Sequence, residues 1–273
     1  MLIYFALVFV ISWGAGLLIV GPAGFPLQWE RFERLGALLY SGILAGPAVA
    51  GILLTGLIDG RAGLRDLLAR LRRWRVGARW YALALLPAFV IAATNLVLSL
   101  VSSDFRPALF ASDHKIGILM LAVGPSLMFG FCEEMGWTGF AVPHLRLRHS
   151  ILTTGLIVGV VWGAWHFPLF WEADTFSAPL PFAILLARLF SWLPPFRVLM
   201  VWIHDRTRSL PVVMFMHAAL VATQLLLMPG AVTAARLVTP ILVVPAAMWL
   251  LLAAVAVANR GALSRQPLRP NLA

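Results

Sequence analysis

Cysteine is almost missing from this chain of 273 residues: the single Cys132 excludes an internal disulfide and any metal cluster built on cysteines, and reads as a small core residue. Charge is scarce as well. Asp, Glu, Lys and Arg make up 12% of the residues, with one lysine, Lys115, against twenty arginines. Missing too are a stretch polar enough to fold alone as a soluble domain, an internal repeat, and the alternating apolar pattern of a membrane β-barrel. What fills the space is apolar: 61% of the residues, with a mean hydropathy of +0.91, more than a water-soluble core of this length can hide. The composition predicts an all-α polytopic membrane protein, one membrane domain over residues 1–273. The net charge of +10 does not point to nucleic acid, because the arginines lie between apolar runs and form no continuous basic face. They read as topology signals beside anionic lipid.

Eight apolar runs read as membrane-spanning helices, at about 2–20, 36–58, 80–100, 116–142, 152–171, 182–203, 210–228 and 238–258. The first has no basic residues before it and no small-residue cleavage site, so it is expected to be a retained helix and not a signal peptide. Between the second and third runs, residues 61–79 carry seven arginines with Leu64, Leu67, Leu68 and Leu71 at helical spacing, which predicts a basic amphipathic helix on the membrane surface. If that segment is cytoplasmic, fourteen arginines fall inside and five cations outside, which sets both termini in the cytoplasm, in a bacterial cytoplasmic membrane.

Against this background Glu133 and Glu134 stand out as the acidic residues placed within a spanning run. A carboxylate at bilayer depth costs at least about 2.5–3.5 kcal/mol on insertion scales, so an adjacent pair calls for a function. His166 and His217 are the histidines inside apolar runs, on two other helices. A carboxylate pair and two imidazoles can hold a water molecule, take its proton and stabilise charge on an attacked carbonyl oxygen. Glu133, His166 and His217 could instead ligate zinc or another divalent metal, which would acidify the water. The same groups also suit a proton or ion pathway, although an inverted repeat of the transporter kind is lacking. Trp162, Trp165 and Trp171 read as interfacial anchors or packing residues, and Pro168, Pro194 and Pro195 as kinks that open a lateral entry.

The run Glu133-Glu134-Met135-Gly136-Trp137-Thr138-Gly139, then Trp162 four residues before His166, then His217, resembles the CAAX-protease and bacteriocin-processing family of intramembrane proteases. Trp74-Arg75-Val76-Gly77 and Arg79-Trp80-Tyr81, with Val201-Trp202 and Asp205-Arg206-Thr207, add to a likeness that covers roughly residues 72–222. The resemblance implies eight transmembrane helices and cleavage of a peptide bond in a membrane-associated peptide or protein, prenylated tails in eukaryotic members. It implies Glu133 as the base that activates water, Glu134 as its neighbour in the motif, His166 as assistant to the water and His217 at the oxyanion or on a metal. Two positions depart from the family: Thr138 stands where Arg is usual and Val221 where Asn is frequent. A non-proteolytic relative, a scaffold or maturation or immunity factor, is the second reading. Arg197, a charge in the middle of the sixth run, is expected to reach Glu134 in place of the missing Arg. Gln224, two turns beyond His217, and Asn95 are candidate amide donors. At about 1.5 Å per residue, Glu133 lies about 13 Å and His217 about 10 Å from the cytoplasmic ends of their runs, but His166 about 21 Å. The convergence predicts a pocket that opens toward the cytoplasm.

Overall fold

The computed structural model describes residues 1–227, 234–261 and 263. Thirteen α-helices follow one another, among these residues without a strand: α1 Leu2–Val20, α2 Trp29–Leu54, α3 Gly60–Leu71, α4 Ala78–Val101, α5 Ala108–Ala111, α6 Lys115–Gly136, α7 Val142–Arg146, α8 Ile151–Trp165, α9 Phe167–Phe170, α10 Pro179–Phe190, α11 Leu193–Thr207, α12 Leu210–Leu226 and α13 Ala234–Ala258. Six helical stretches among them are long and apolar enough to cross a membrane, and α8 and α12 are shorter apolar helices. The outer surface is itself apolar: Leu2, Leu18 and Leu100 are more than four-fifths exposed, as expected where the solvent is lipid. The protein is an integral membrane protein of the all-α polytopic class.

Thirteen of the fifteen residues of α11 are buried, so α11 is the axis of the bundle. It packs along α8, while α12 packs along α6 and α4, and α1 and α2 form an antiparallel pair against α6. Small residues make these approaches possible, as in other membrane bundles. A Cβ on Gly136 would sit 2.0 Å from the Pro47 carbonyl oxygen, so α2 and α6 touch backbone to backbone one turn below the carboxylates. Pro47 interrupts the ladder of α2 because it has no N–H for the Ile43 carbonyl. Ser12 of α1 fills that place, its hydroxyl donating to Ile43 O at 2.6 Å.

The structure departs from the sequence expectations at several points. The basic amphipathic helix ends at Leu71 and residues 72–77 are turn and extended chain, not helix to residue 79. One of its arginines leaves the surface: Arg70 is buried, with Nε donating to Asp66 at 2.7 Å and Nη2 to the Gly139 carbonyl at 2.9 Å. Arg146, read as a loop charge, is also buried and pairs with Asp205 at 2.9 Å. The sixth run is two helices broken at Ser191–Trp192. Pro194 and Pro195 lie in the first turn of α11, where no intrahelical N–H is needed, so they start that helix and do not kink it.

Candidate active site

The site is assembled from four helices. Helix α6 carries Glu133 and Glu134 just before a wide π-type turn at Trp137–Ala141. Successive residues on a helix point about 100° apart, so the two carboxylates address different neighbours. Glu134 is fully buried and accepts three hydrogen bonds, from the Thr138 hydroxyl, from Arg197 Nη1 at 2.7 Å and from His217 Nδ1 at 2.9 Å. Those donors come from one turn on in its own helix, from α11 and from α12. Thr138, standing where an arginine was missed, and Arg197 together give Glu134 its partners. Pairing matters here because an uncompensated buried charge costs several kcal/mol.

Glu133 is 4% exposed and lines a cavity; its Oε2 accepts the indole N–H of Trp162 at 2.6 Å. Trp162 is the hub of the site. Its ring carries the Arg197 guanidinium 4.1 Å from its centroid, and its edges meet the rings of His166 and His217 at 5.2 and 5.3 Å between centroids. Its carbonyl accepts from His166 Nδ1 at 2.8 Å. A carbonyl can only accept, so His166 Nδ1 carries the hydrogen and Nε2 is left free. His217 is set in the same way by Glu134, which leaves its Nε2 free too. Trp162→Phe keeps the ring and deletes only the donor to Glu133. It is expected to lower the thermal midpoint in detergent by several degrees, a hydrogen bond to a charged group being worth about 1.5–3 kcal/mol.

The cavity holds about 440 Å³ and brings Glu133, Trp162, His166 and His217 onto one wall system with Val221, Gln224 and Asn95. Asn95 spends an amide hydrogen on the Ile91 carbonyl of its own helix at 2.9 Å. The remaining walls are chiefly apolar, among them Tyr40, Ile91, Phe129, Leu169 and Leu220. Helix α6 runs on through the π-type turn and α7 to Arg146, so Glu133 lies thirteen residues, about 20 Å, from that end, level with His166 fifteen residues along α8. The depth mismatch read from the sequence came from ending the α6 run too early.

The cavity lies toward one end of the bundle. Its lining includes Phe105 beyond the end of α4, Leu169 and Phe170 beyond the end of α8, Leu227 at the end of α12, and Pro240 and Ile241 in the first part of α13. These all belong to the end of the bundle remote from the arginine-rich connections.

Some features were not legible beforehand. Trp162 was read as packing, and nothing in a sequence separates a packing tryptophan from a donating one. His204, one residue past the sixth apolar run, is buried on α11. Tyr4 is fully buried beside Trp137 and Phe140, with ring centroids 5.7 and 5.0 Å away. Among the described residues no three of the His, Cys, Asp and Glu side chains converge as a metal-holding set. Glu134 is already saturated by Thr138, Arg197 and His217. No step below runs through a metal.

Fold and site together define an integral membrane protein with a buried carboxylate, imidazole and guanidinium site at the floor of an apolar cavity. Residues 115–223 match the family described as "Type II CAAX prenyl endopeptidase Rce1-like". A relative, "CAAX prenyl protease 2" of Methanococcus maripaludis, is 33% identical over 76 residues, which is 28% of this chain and 23% of that protein. The matched stretch thus spans less than a quarter of the relative's length. The resemblance to the CAAX-protease and bacteriocin-processing family is borne out over the segment that carries the site.

Proposed function

We propose that this protein is an intramembrane endopeptidase in which a water molecule held by Glu133 and His166 attacks a peptide bond of a membrane-associated substrate. The observation that carries the reading is the shared cavity wall: Glu133, His166 and His217 line one space, backed by the buried Glu134–Arg197 pair. Glu133, one oxygen engaged by Trp162, takes the proton of the water with the other as the water oxygen bonds to the carbonyl carbon. His166 Nε2 orients that water. His217, held by Glu134, presents Nε2 to the oxygen on which negative charge develops. Collapse of the tetrahedral species breaks the C–N bond, and the proton on Glu133 passes to the leaving amine.

Glu134 and Arg197 act as positioning residues, and Gln224 is the amide within the cavity that can supplement His217 where Val221 lacks a polar group. The apolar walls suit a hydrophobic segment of the substrate, in keeping with the name of the relative. The basic end holds anionic lipid in the cytoplasmic membrane of the host. The test is hydrolysis of a quenched peptide by the purified protein in proteoliposomes made in H₂¹⁸O. One ¹⁸O atom in the new carboxylate and loss of cleavage in His166→Ala support the proposal. A well-folded protein that cleaves no member of a diverse panel of lipidated and apolar peptides sinks it and favours the scaffold reading, for which Thr138 and Val221 speak.

A further inference from the structure

We propose that α3 is a lipid-dependent strut: anionic phospholipid headgroups gathered by Arg61, Arg65 and Arg72 seat it on the membrane surface, and Arg70 and Leu67 pass that seating to the turn that follows Glu133 and Glu134. Its effect on cleavage rests on the endopeptidase reading; the coupling of α3 to the turn does not.

The inner face of α3 is formed by Leu67 and Arg70, both buried. Leu67 packs with Met135, Leu210 and Met214, so it meets the residue next to Glu134 on α6 and a residue one turn before His217 on α12. Its Cδ1 also lies 3.0 Å from the place a Cβ on Gly139 would take. Arg70 Nη2 donates to the Gly139 carbonyl at 2.9 Å, while Nε is held by Asp66. Gly139 belongs to the π-type turn Trp137–Ala141, and its neighbour Thr138 donates to Glu134. Turns of this kind are rare and sit often at functional sites. One short helix thus touches both α6 and α12 and grips the turn on which a partner of Glu134 stands.

The outer face is basic and open. Leu64 and Leu68 are 38% and 42% exposed. With about 100° between successive residues, Arg61, Arg65 and Arg72 fall together on one flank of that pair, and all three are exposed. Asp66, the acid on this helix, is engaged by Arg70. An apolar stripe edged by arginines suits the boundary between acyl chains and headgroups, and each arginine close to an anionic surface favours the contact about fivefold. A soluble anion would leave Leu64 and Leu68 in water, so the fit is to a phospholipid bilayer. Beyond the helix, Trp74 is 58% exposed with the Arg75 guanidinium 4.8 Å from its ring centroid, a further interfacial anchor. At its start α3 is joined to the preceding turn through Gly60 at φ 62°, a left-handed conformation that glycine adopts without strain, so the helix can pivot there.

Hydrogen–deuterium exchange of the whole protein in nanodiscs tests the coupling without reference to catalysis. When phosphatidylcholine is replaced by phosphatidylglycerol, the amides of α3 and of the Trp137–Ala141 turn are expected to slow together, by about fivefold or more. Arg61→Gln, Arg65→Gln and Arg72→Gln combined, all at exposed positions, should remove both effects. Molar salt should do the same, because it shortens the Debye length to about 3 Å. Arg70→Lys keeps the charge and loses the fork that reaches Gly139, so it should retain the slowing in α3 and lose it in the turn. In the unmodified protein, slowing in α3 that the turn does not share overturns the proposal, as does no slowing at all. Slowing that survives the triple substitution overturns it as well. Cleavage of an uncharged quenched peptide supplies the second arm: about fivefold or more faster in the anionic bilayer for the unmodified protein, and alike in the two lipids for the triple variant. Equal and measurable rates in both lipids for the unmodified protein overturn the proposal. The expected exchange pattern without cleavage in either lipid leaves α3 coupled to the turn and removes only the endopeptidase reading.

Discussion

Glu133→Gln is expected to lower the rate of peptide cleavage by about two to four orders of magnitude, the range that a positioned general base contributes. The amide is nearly isosteric, and the geometry around it is prepared to keep it in place. Its oxygen can still accept the Trp162 N–H that now reaches Glu133 at 2.6 Å, and Glu134 with its three donors is untouched. Folding and detergent stability should therefore match those of the unmodified protein, and peptide affinity should hold, because the amide removes the proton acceptor and not the cavity. The measurement is kcat and KM on the same quenched peptide, with thermal unfolding as the control. A residual rate within a few fold of the original takes the proton acceptor away from Glu133 and gives that task to His217, whose Nε2 is free and whose Nδ1 rests on Glu134.

Arg197→Met is expected to have the largest effect on stability, about 3–5 kcal/mol, the cost of removing one partner from a buried ion pair. Both side chains of the Arg197–Glu134 pair are fully buried 2.7 Å apart, so no water is at hand to solvate the carboxylate left behind. Arg197 also lies over the Trp162 ring at 4.1 Å, and its loss loosens the residue that holds Glu133 and His166. The check is a thermal midpoint in detergent that falls by several degrees or more. The double variant Arg197→Met with Glu134→Gln should recover a good part of that loss, since the orphaned charge goes with its partner. No recovery would mean that the guanidinium acts through packing on Trp162 and not through the ion pair.

How far the sequence discloses this arrangement depends on which physical rule is in force. For helices in lipid the rule is length of apolar run, and it is direct: α1 covers Leu2–Val20 and α4 covers Ala78–Val101, within a few residues of the runs seen in the chain. The rule that a charge at bilayer depth needs a partner was enough to direct Arg197 toward Glu134, a pair that is present. Where local pattern permits two answers the sequence is silent. Pro194 and Pro195 are as compatible with a kink as with a helix start, and only the break at Ser191–Trp192 decides. Arg70 belongs by periodicity to a wet basic face, yet its acceptor, the Gly139 carbonyl, is freed by a turn sixty-nine residues away that no periodicity foretells.

The brevity of α8 bears on the bilayer around it. Fifteen helical residues rise about 22 Å, short of the roughly 30 Å of hydrocarbon in an ordinary membrane. Val160, nearly half exposed, shows that part of this helix meets acyl chains directly. Lipid there has to thin or tilt to match, a deformation of fractions of a kcal/mol per Å that brings headgroups down toward the level of His166. Beside α8 a peptide would then have less oil to cross before reaching the cavity.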